Sequence, residues 1–212
     1  MKNLLKNTLL FIALSIAFSS FTACTKTSNV NSQNGAVIGV APDGSRNANT
    51  TAAAPEVADG NYPPAPEGIL QTENKDLDGK SLKIEDYKGK VVLVNLWAIY
   101  CPPCRAEMPE IVAMQEKYKD KGFEVVGLNV SDPNEETVDQ INKFTKEMKL
   151  NYKVGYADQK LVSAFIKLTK LQGIPQTILI NRDGKMTGIF SGGGQKVINQ
   201  MKEAVDKAMA NG

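Results

Sequence analysis

Cys101-Pro102-Pro103-Cys104 is the stretch of this 212-residue chain whose residue types and spacing could do chemistry. Two sulfurs two residues apart can share a disulfide, and the second can attack a mixed disulfide formed at the first. An apolar run, Val91-Val92-Leu93-Val94-Asn95-Leu96, leads into the motif through Trp97, and an amphipathic stretch from Arg105 to Lys119 follows. The pair therefore falls where a buried strand ends and a helix begins. Unpaired N–H groups at a helix start carry partial positive charge and stabilise a thiolate. A cysteine with a lowered pKa is the nucleophile that disulfide exchange needs.

Composition narrows the alternatives. The chain has three cysteines and no histidine, so His-based general bases and the Ser-His-Asp triad are excluded. A zinc site on the Cys pair would need two more ligands, and the only other cysteine is Cys24, far up the chain. No metal and no cofactor is expected. A structural disulfide is the plainer reading of the pair, but a ring this small gains least from cross-linking. Pro103 fits an early helical position, where no N–H is required. Hydrophobic content of 42% and charged content of 23% suit a globular domain. The net charge is +2, matched by Lys2 and Lys6 near the N-terminus, so the rest is close to neutral and no nucleic-acid partner is implied.

Residues 1–23 read as a signal peptide: Lys2 and Lys6, then an uncharged, mostly apolar stretch from Thr8 to Ala23. It ends in Phe21-Thr22-Ala23-Cys24, which resembles a bacterial lipobox with Cys24 as the lipidated residue. An uncleaved single-span anchor is the alternative, weakened by Ser15, Ser19, Ser20 and Thr22. Either would export the rest of the chain and tether it to a membrane. Residues 24–67, rich in Ser, Asn, Thr, Ala and Gly, are expected to be a flexible linker stiffened at its end by Pro63, Pro64 and Pro66. A folded domain is expected over residues 68–212.

Within it the pattern predicts a hairpin, Ile69 to Lys75 and Ser81 to Ile84, turning at Asp76-Leu77-Asp78-Gly79-Lys80. Val91 to Leu96 is a central strand buried on both faces. Then come the Cys-Pro-Pro-Cys helix and a strand over Phe123 to Val130. A helix over Asn134 to Leu150 follows, capped by Asp132 or Asn134, with Val138, Ile141, Phe144 and Met148 on one face. Tyr152 to Tyr156 is extended, and Leu161 to Leu168 is a short helix. Gln176 to Ile180 and Lys185 to Phe190 form a hairpin about Asn181-Arg182-Asp183-Gly184, and Gln195 to Met209 is a last helix. Strands alternating with helices and ending in a hairpin imply an α/β sandwich with a mixed sheet.

From Asp76 to about Phe190 the chain resembles the thioredoxin superfamily, and more narrowly its membrane-tethered TlpA/ResA-type members. The residues that carry this are Asp78-Gly79-Lys80, Lys88 to Ala98, Cys101 to Pro109, Gly173-Ile174-Pro175 and Asn181-Arg182-Asp183-Gly184. The resemblance implies a thioredoxin-like three-layer sandwich with an N-terminal β-hairpin extension. It implies Cys101 as nucleophile, Cys104 as the buried resolving thiol, and a redox-active Cys101–Cys104 disulfide. Pro175 would be a cis-proline facing the pair, with the Ile174 backbone pairing with an extended substrate. Glu107 matches an acid that tunes the thiols; its plainer reading is a solvated first-turn glutamate favoured by the helix dipole. Trp97 and Tyr100 are expected beside the substrate, with a core position alone as the alternative for Trp97. Three positions depart from the usual pattern. Asn95 stands where thioredoxin has a buried aspartate, Tyr100 replaces a tryptophan, and Gln176 replaces the threonine common after the cis-proline.

The function so implied is an extracytoplasmic thiol-disulfide oxidoreductase that reduces exported proteins, apocytochrome c among them. Its partners would be client disulfides or thiols, a membrane electron donor and, through Cys24, the membrane itself. A disulfide-forming oxidant uses the same residues with the opposite electron flow. A thiol peroxidase would want one activated cysteine near Thr and Arg, for which Arg105 alone stands. A non-enzymatic lipoprotein on the same scaffold is the remaining alternative.

Overall fold

The computed structural model describes residues 62–211. The signal peptide, the lipobox at Cys24 and nearly all of the expected linker lie outside the described residues.

The sheet has seven strands: β1 (Asn74–Asp76), β2 (Ser81–Leu82), β3 (Val91–Trp97), β4 (Phe123–Asn129), β5 (Lys153–Tyr156), β6 (Gln176–Ile180) and β7 (Met186–Ser191). Their order is β2-β1-β5-β4-β3-β6-β7. Strand β3 runs parallel to β4 and antiparallel to β6, and every residue from Val91 to Trp97 is buried. Its uninterrupted apolar run follows from this, because both of its faces are covered. The helices are α1 (Glu67–Leu70), α2 (Pro102–Tyr118), α3 (Val138–Glu147), α4 (Gln159–Thr169) and α5 (Gln195–Ala210). On one face, Ile69 of α1 and Leu161 and Phe165 of α4 pack with Val92, Val94 and Leu96. On the other, Ile111 of α2 and Val197 and Met201 of α5 pack with Val91, Leu93 and Val125. Ile141 and Phe144 of α3 close that second layer around Trp97 and the cysteines. The result is a three-layer α/β sandwich with a mixed sheet and a hairpin, β1–β2, added at one edge.

Three boundaries differ from the sequence expectation. Ile69 and Leu70 close a helical turn, Glu67–Leu70, rather than opening a strand, because Ile69 must turn inward to reach Leu161 and Phe165. Only Asn74–Asp76 pairs as β1. The fold also begins before residue 68: Pro64 bridges Lys185, and the N–H groups of Ala65 and Met186 donate to Gly184 and Pro63. The last residues assigned to the linker are thereby tied to the β6–β7 hairpin. Finally, α3 starts at Val138, not Asn134. Asp132 spends its carboxylate on the N–H of Asn134 (2.8 Å), an Asx turn. The cap is Thr137, whose N–H donates to Gln140 Oε1 (2.7 Å) while its Oγ1 accepts from Gln140 N–H (3.4 Å). Val138 is consequently exposed at the helix start instead of lying on the buried face.

The hairpin reaches the sheet through a tight β1–β5 crossing. A Cβ on Gly155 would lie 2.3 Å from the Lys75 carbonyl oxygen, so only glycine lets the strands meet. Gly155→Ala is expected to lower stability by about 1–3 kcal/mol. A urea denaturation midpoint checks this, and hydrogen exchange should rise first in residues 74–82.

Candidate active site

Strand β3 ends at Trp97, and five residues later α2 begins at Pro102. Cys101 is the N-cap: its backbone is extended (φ −89°, ψ 103°) and its sulfur accepts from the Cys104 N–H at 3.2 Å. A sulfur thus takes the place usually filled by a Ser or Asp oxygen. Pro102 and Pro103 occupy the first helical positions, where a missing N–H costs nothing. Cys101 and Cys104 are joined by a disulfide with an S–S distance of 2.09 Å. Cys101 is 4% exposed and Cys104 not at all, so the first sulfur is the one that solvent can touch.

The opposite wall comes from the loop before β6. The Ile174–Pro175 peptide is cis, and the Ile174 carbonyl oxygen lies 3.9 Å from Cys101 Sγ. A bonded sulfur has no proton to offer, but a reduced Cys101 thiol at that place could donate weakly to this oxygen. Gln176 explains its own departure from threonine. Its amide donates to the carbonyls of Gly173 (2.6 Å) and Leu171 (3.2 Å), and its Oε1 accepts from the Thr169 hydroxyl (2.8 Å). It braces the loop that carries Ile174. A third strip is Ser191-Gly192-Gly193-Gly194: Gly192 N–H donates to the Pro175 carbonyl (2.9 Å), and a Cβ on Gly193 would lie 2.5 Å from Pro103 Cβ.

Beneath the disulfide lies a buried polar group. Glu107 is one helical turn beyond Cys104 and 1% exposed, so the reading of a solvated glutamate is overturned. Asn95 Nδ2 donates to Glu107 Oε1 (2.7 Å) and to Thr177 Oγ1 (2.9 Å), linking β3, α2 and β6. Burial pushes the Glu107 carboxyl up to about 8 against the opposing pull of the Asn95 hydrogen bond. At neutral pH it therefore holds a proton within the layer that contains both sulfurs. Burial, and then the Glu107 charge, also raises the Tyr152 phenol above its ordinary range.

The two aromatics part company. Tyr100 is 69% exposed, the most exposed large apolar side chain among the described residues, and stands directly before Cys101. Trp97 is fully buried and stacks on Phe144 at 5.3 Å, with the Arg105 guanidinium 5.4 Å above the other ring. The expected contact of Trp97 with substrate is thus corrected: it supports the cysteines from below and no docked chain can touch it. Sequence reasoning missed Thr177, which accepts from Asn95, and Glu136, described below. Neither lies in a motif, and no local pattern marks either.

The redoxin family profile matches residues 48–206. The chain belongs to the redoxin family. This redoxin is 33% identical over 132 residues to the thiol-disulfide oxidoreductase ResA of Bacillus thuringiensis subsp. konkukian (strain 97-27), a match covering 62% of this chain and 71% of that protein. It is 30% identical over 129 residues to ResA of Bacillus subtilis (strain 168), covering 60% and 65%. Its fold is similar to a thioredoxin-family thiol:disulfide interchange protein from Chlorobium tepidum TLS, with TM-score 0.58, 28% identity, and 70% and 97% of the two chains covered. A thiol:disulfide interchange protein from Bacteroides sp. gives TM-score 0.55 at 27% identity, covering 68% and 90%. The redoxin is thus a TlpA/ResA-like member of the thioredoxin superfamily and an oxidoreductase of thiols and disulfides.

The buried carboxyl has a consequence for stability. In the disulfide form the cysteines do not titrate. Folded Glu107 keeps its proton to about pH 8, whereas the unfolded chain releases it near the ordinary value of 4.5. Between those values the native state binds more protons, so stability falls as pH rises, by at most about 1.4 kcal/mol per pH unit, and levels off above. Glu107→Gln should flatten that slope. Urea unfolding of the oxidised protein across this range measures it.

Proposed function

We propose that this redoxin reduces disulfides of exported proteins outside the cytoplasm, with Cys101 as nucleophile and Cys104 as resolving thiol. The observation that carries the reading is the difference between the two sulfurs: Cys101 caps α2 with a trace of exposure, and Cys104 is sealed behind it. The reduced Cys101 thiolate attacks one sulfur of a client disulfide. A Cys101–client bond forms, and the other client sulfur leaves as a thiolate and takes up a proton. Cys104 gives up its proton and attacks Cys101 Sγ, which releases the second client thiol and closes the Cys101–Cys104 disulfide. Two electrons pass to the client, and a membrane electron donor restores the dithiol.

Glu107 supports the reductant direction. Burial of the pair disfavours its thiolate form, and the Glu107 carboxylate adds to this once it ionises near pH 8, so the stabilisation of the reduced state that makes a strong oxidant is withheld. Because it keeps its own proton to about pH 8, Glu107 can take the Cys104 proton only once it has ionised, so its part in resolution should grow as pH rises toward 8. An extended client segment would lie along the Ile174 backbone, beside Pro175, with Tyr100 as an apolar contact. Apocytochrome c thiols are the client class that the resemblance favours. The signal peptide and a lipid on Cys24 would hold the domain at a membrane on the outer side. Among the described residues no helix is long and apolar enough to cross one.

Two measurements test this. Cys104→Ser should trap a stable mixed disulfide with a client and Cys101→Ser should not; trapping through Cys104 instead would reverse the roles. Equilibration with glutathione should place the pair near thioredoxin's potential, about −270 mV, while a value near −120 mV would make the protein a disulfide-forming oxidant.

A further inference from the structure

Glu136 takes no part in the exchange just described, yet it is built into the loop that presents it. It lies in the loop before α3 and is 7% exposed. Its Oε2 accepts from the Ile99 N–H (3.0 Å) and from Asn129 Nδ2 (2.6 Å), and its Oε1 accepts from the Tyr100 N–H (3.2 Å). Its own main-chain carbonyl accepts from the Tyr156 hydroxyl (2.5 Å). Asn129 is fully buried at the end of β4, and its Oδ1 accepts from the Ser131 N–H (2.8 Å). One residue therefore joins the ends of β4 and β5 to two consecutive N–H groups of the β3–α2 loop. The Cys101 N–H closes the same turn onto the Ala98 carbonyl (3.2 Å).

Hydrogen bonds to a carboxylate are about twice as strong as neutral ones, and two on adjacent N–H groups fix both the position and the direction of a backbone. Here they fix the residue that carries Tyr100. An exposed aromatic ring on a mobile loop would lose freedom on docking; on a backbone already held, that cost falls.

We propose that Glu136 is a positioning residue for client selection. It holds the Ile99–Tyr100 backbone so that Tyr100 meets an extended peptide segment beside Cys101. The inference rests on the reading that clients dock across Ile174 and Tyr100.

The test compares reduction of a peptide disulfide with reduction of hydroxyethyl disulfide, which is too small to reach Tyr100 and Cys101 together. Glu136→Gln keeps the volume but turns an acceptor into a donor that faces N–H groups. It should lower kcat/KM for the peptide by about tenfold, mainly through KM, and lower that for the small disulfide much less. Glu136→Asp should recover part of the loss. Because both residues act on one contact, Glu136→Gln combined with Tyr100→Ala should be no worse than Tyr100→Ala alone. Equal losses for both substrates, or additive losses in the double variant, would show that Glu136 serves the fold and not the client. If Glu136→Gln does not fold, Tyr156→Phe leaves the carboxylate bonds in place and loosens only the Glu136 carbonyl. It should give a smaller loss confined to the peptide, and an equal loss for both substrates would again overturn the proposal. A wild-type chain inert toward the peptide would sink the docking reading itself; an active wild type with unchanged selectivity in Glu136→Gln sinks this inference alone.

Discussion

The site depends on one constraint: β3 is covered on both faces and flanked by β4 and β6, so it can shed its chain only at its end. That end is where Trp97 stops pairing and Cys101 begins to cap α2. The antiparallel neighbour β6 starts at the same level, with Leu96 paired to Gln176. The loop preceding β6 must therefore arrive beside the cysteines. Apposition of the Ile174 carbonyl to Cys101 Sγ follows from the register of two buried strands and needs no dedicated interaction between loop and motif.

Around this frame the buried polar groups divide by their partners. Glu136 and Gln176 bond to main-chain groups, and what they secure is geometry: one holds the loop before Cys101, the other the loop before Pro175. Glu107 and Asn95 bond to each other in the interior, and what they set is a proton affinity. The division follows from dielectric. A carboxyl accepting two backbone N–H groups and a side-chain amide is a strong anchor. One sealed in an apolar layer with a single amide donor keeps its proton. Two glutamates of equal chemistry thereby have different uses.

Much of the fold was legible because its signals are local and repeated. The Val91–Leu96 run, the Asn181–Gly184 turn and the helical spacing of Met108 and Ile111 each report burial directly. The misreadings share one cause. Ile69-Leu70 is an apolar pair short enough to open a strand or end a helical turn, and only the reach of Ile69 to Leu161 and Phe165 on α4 decides between them. At α3 two candidate caps compete, and the choice falls to Thr137 because its Gln140 partner completes a reciprocal pair while Asp132 is committed to a turn.

By itself the sequence determined the chemistry: a sulfur pair two residues apart, no histidine, and a strand-to-helix junction leave thiol-disulfide exchange as the strongest reading. Tertiary structure decided which side chains serve that chemistry. Trp97 and Tyr100 look alike in the chain, yet one is sealed and the other exposed, because β3 ends between them. Between the two readings of Glu107, thiol-tuning acid or solvated glutamate, a contact 12 residues away decides by burying it, and Glu136 reaches its loop across a separation of 36 and 37 residues. Spacing along a chain encodes which groups can react together. The surroundings that set their pKa and exposure come from distant segments, and no local pattern records them.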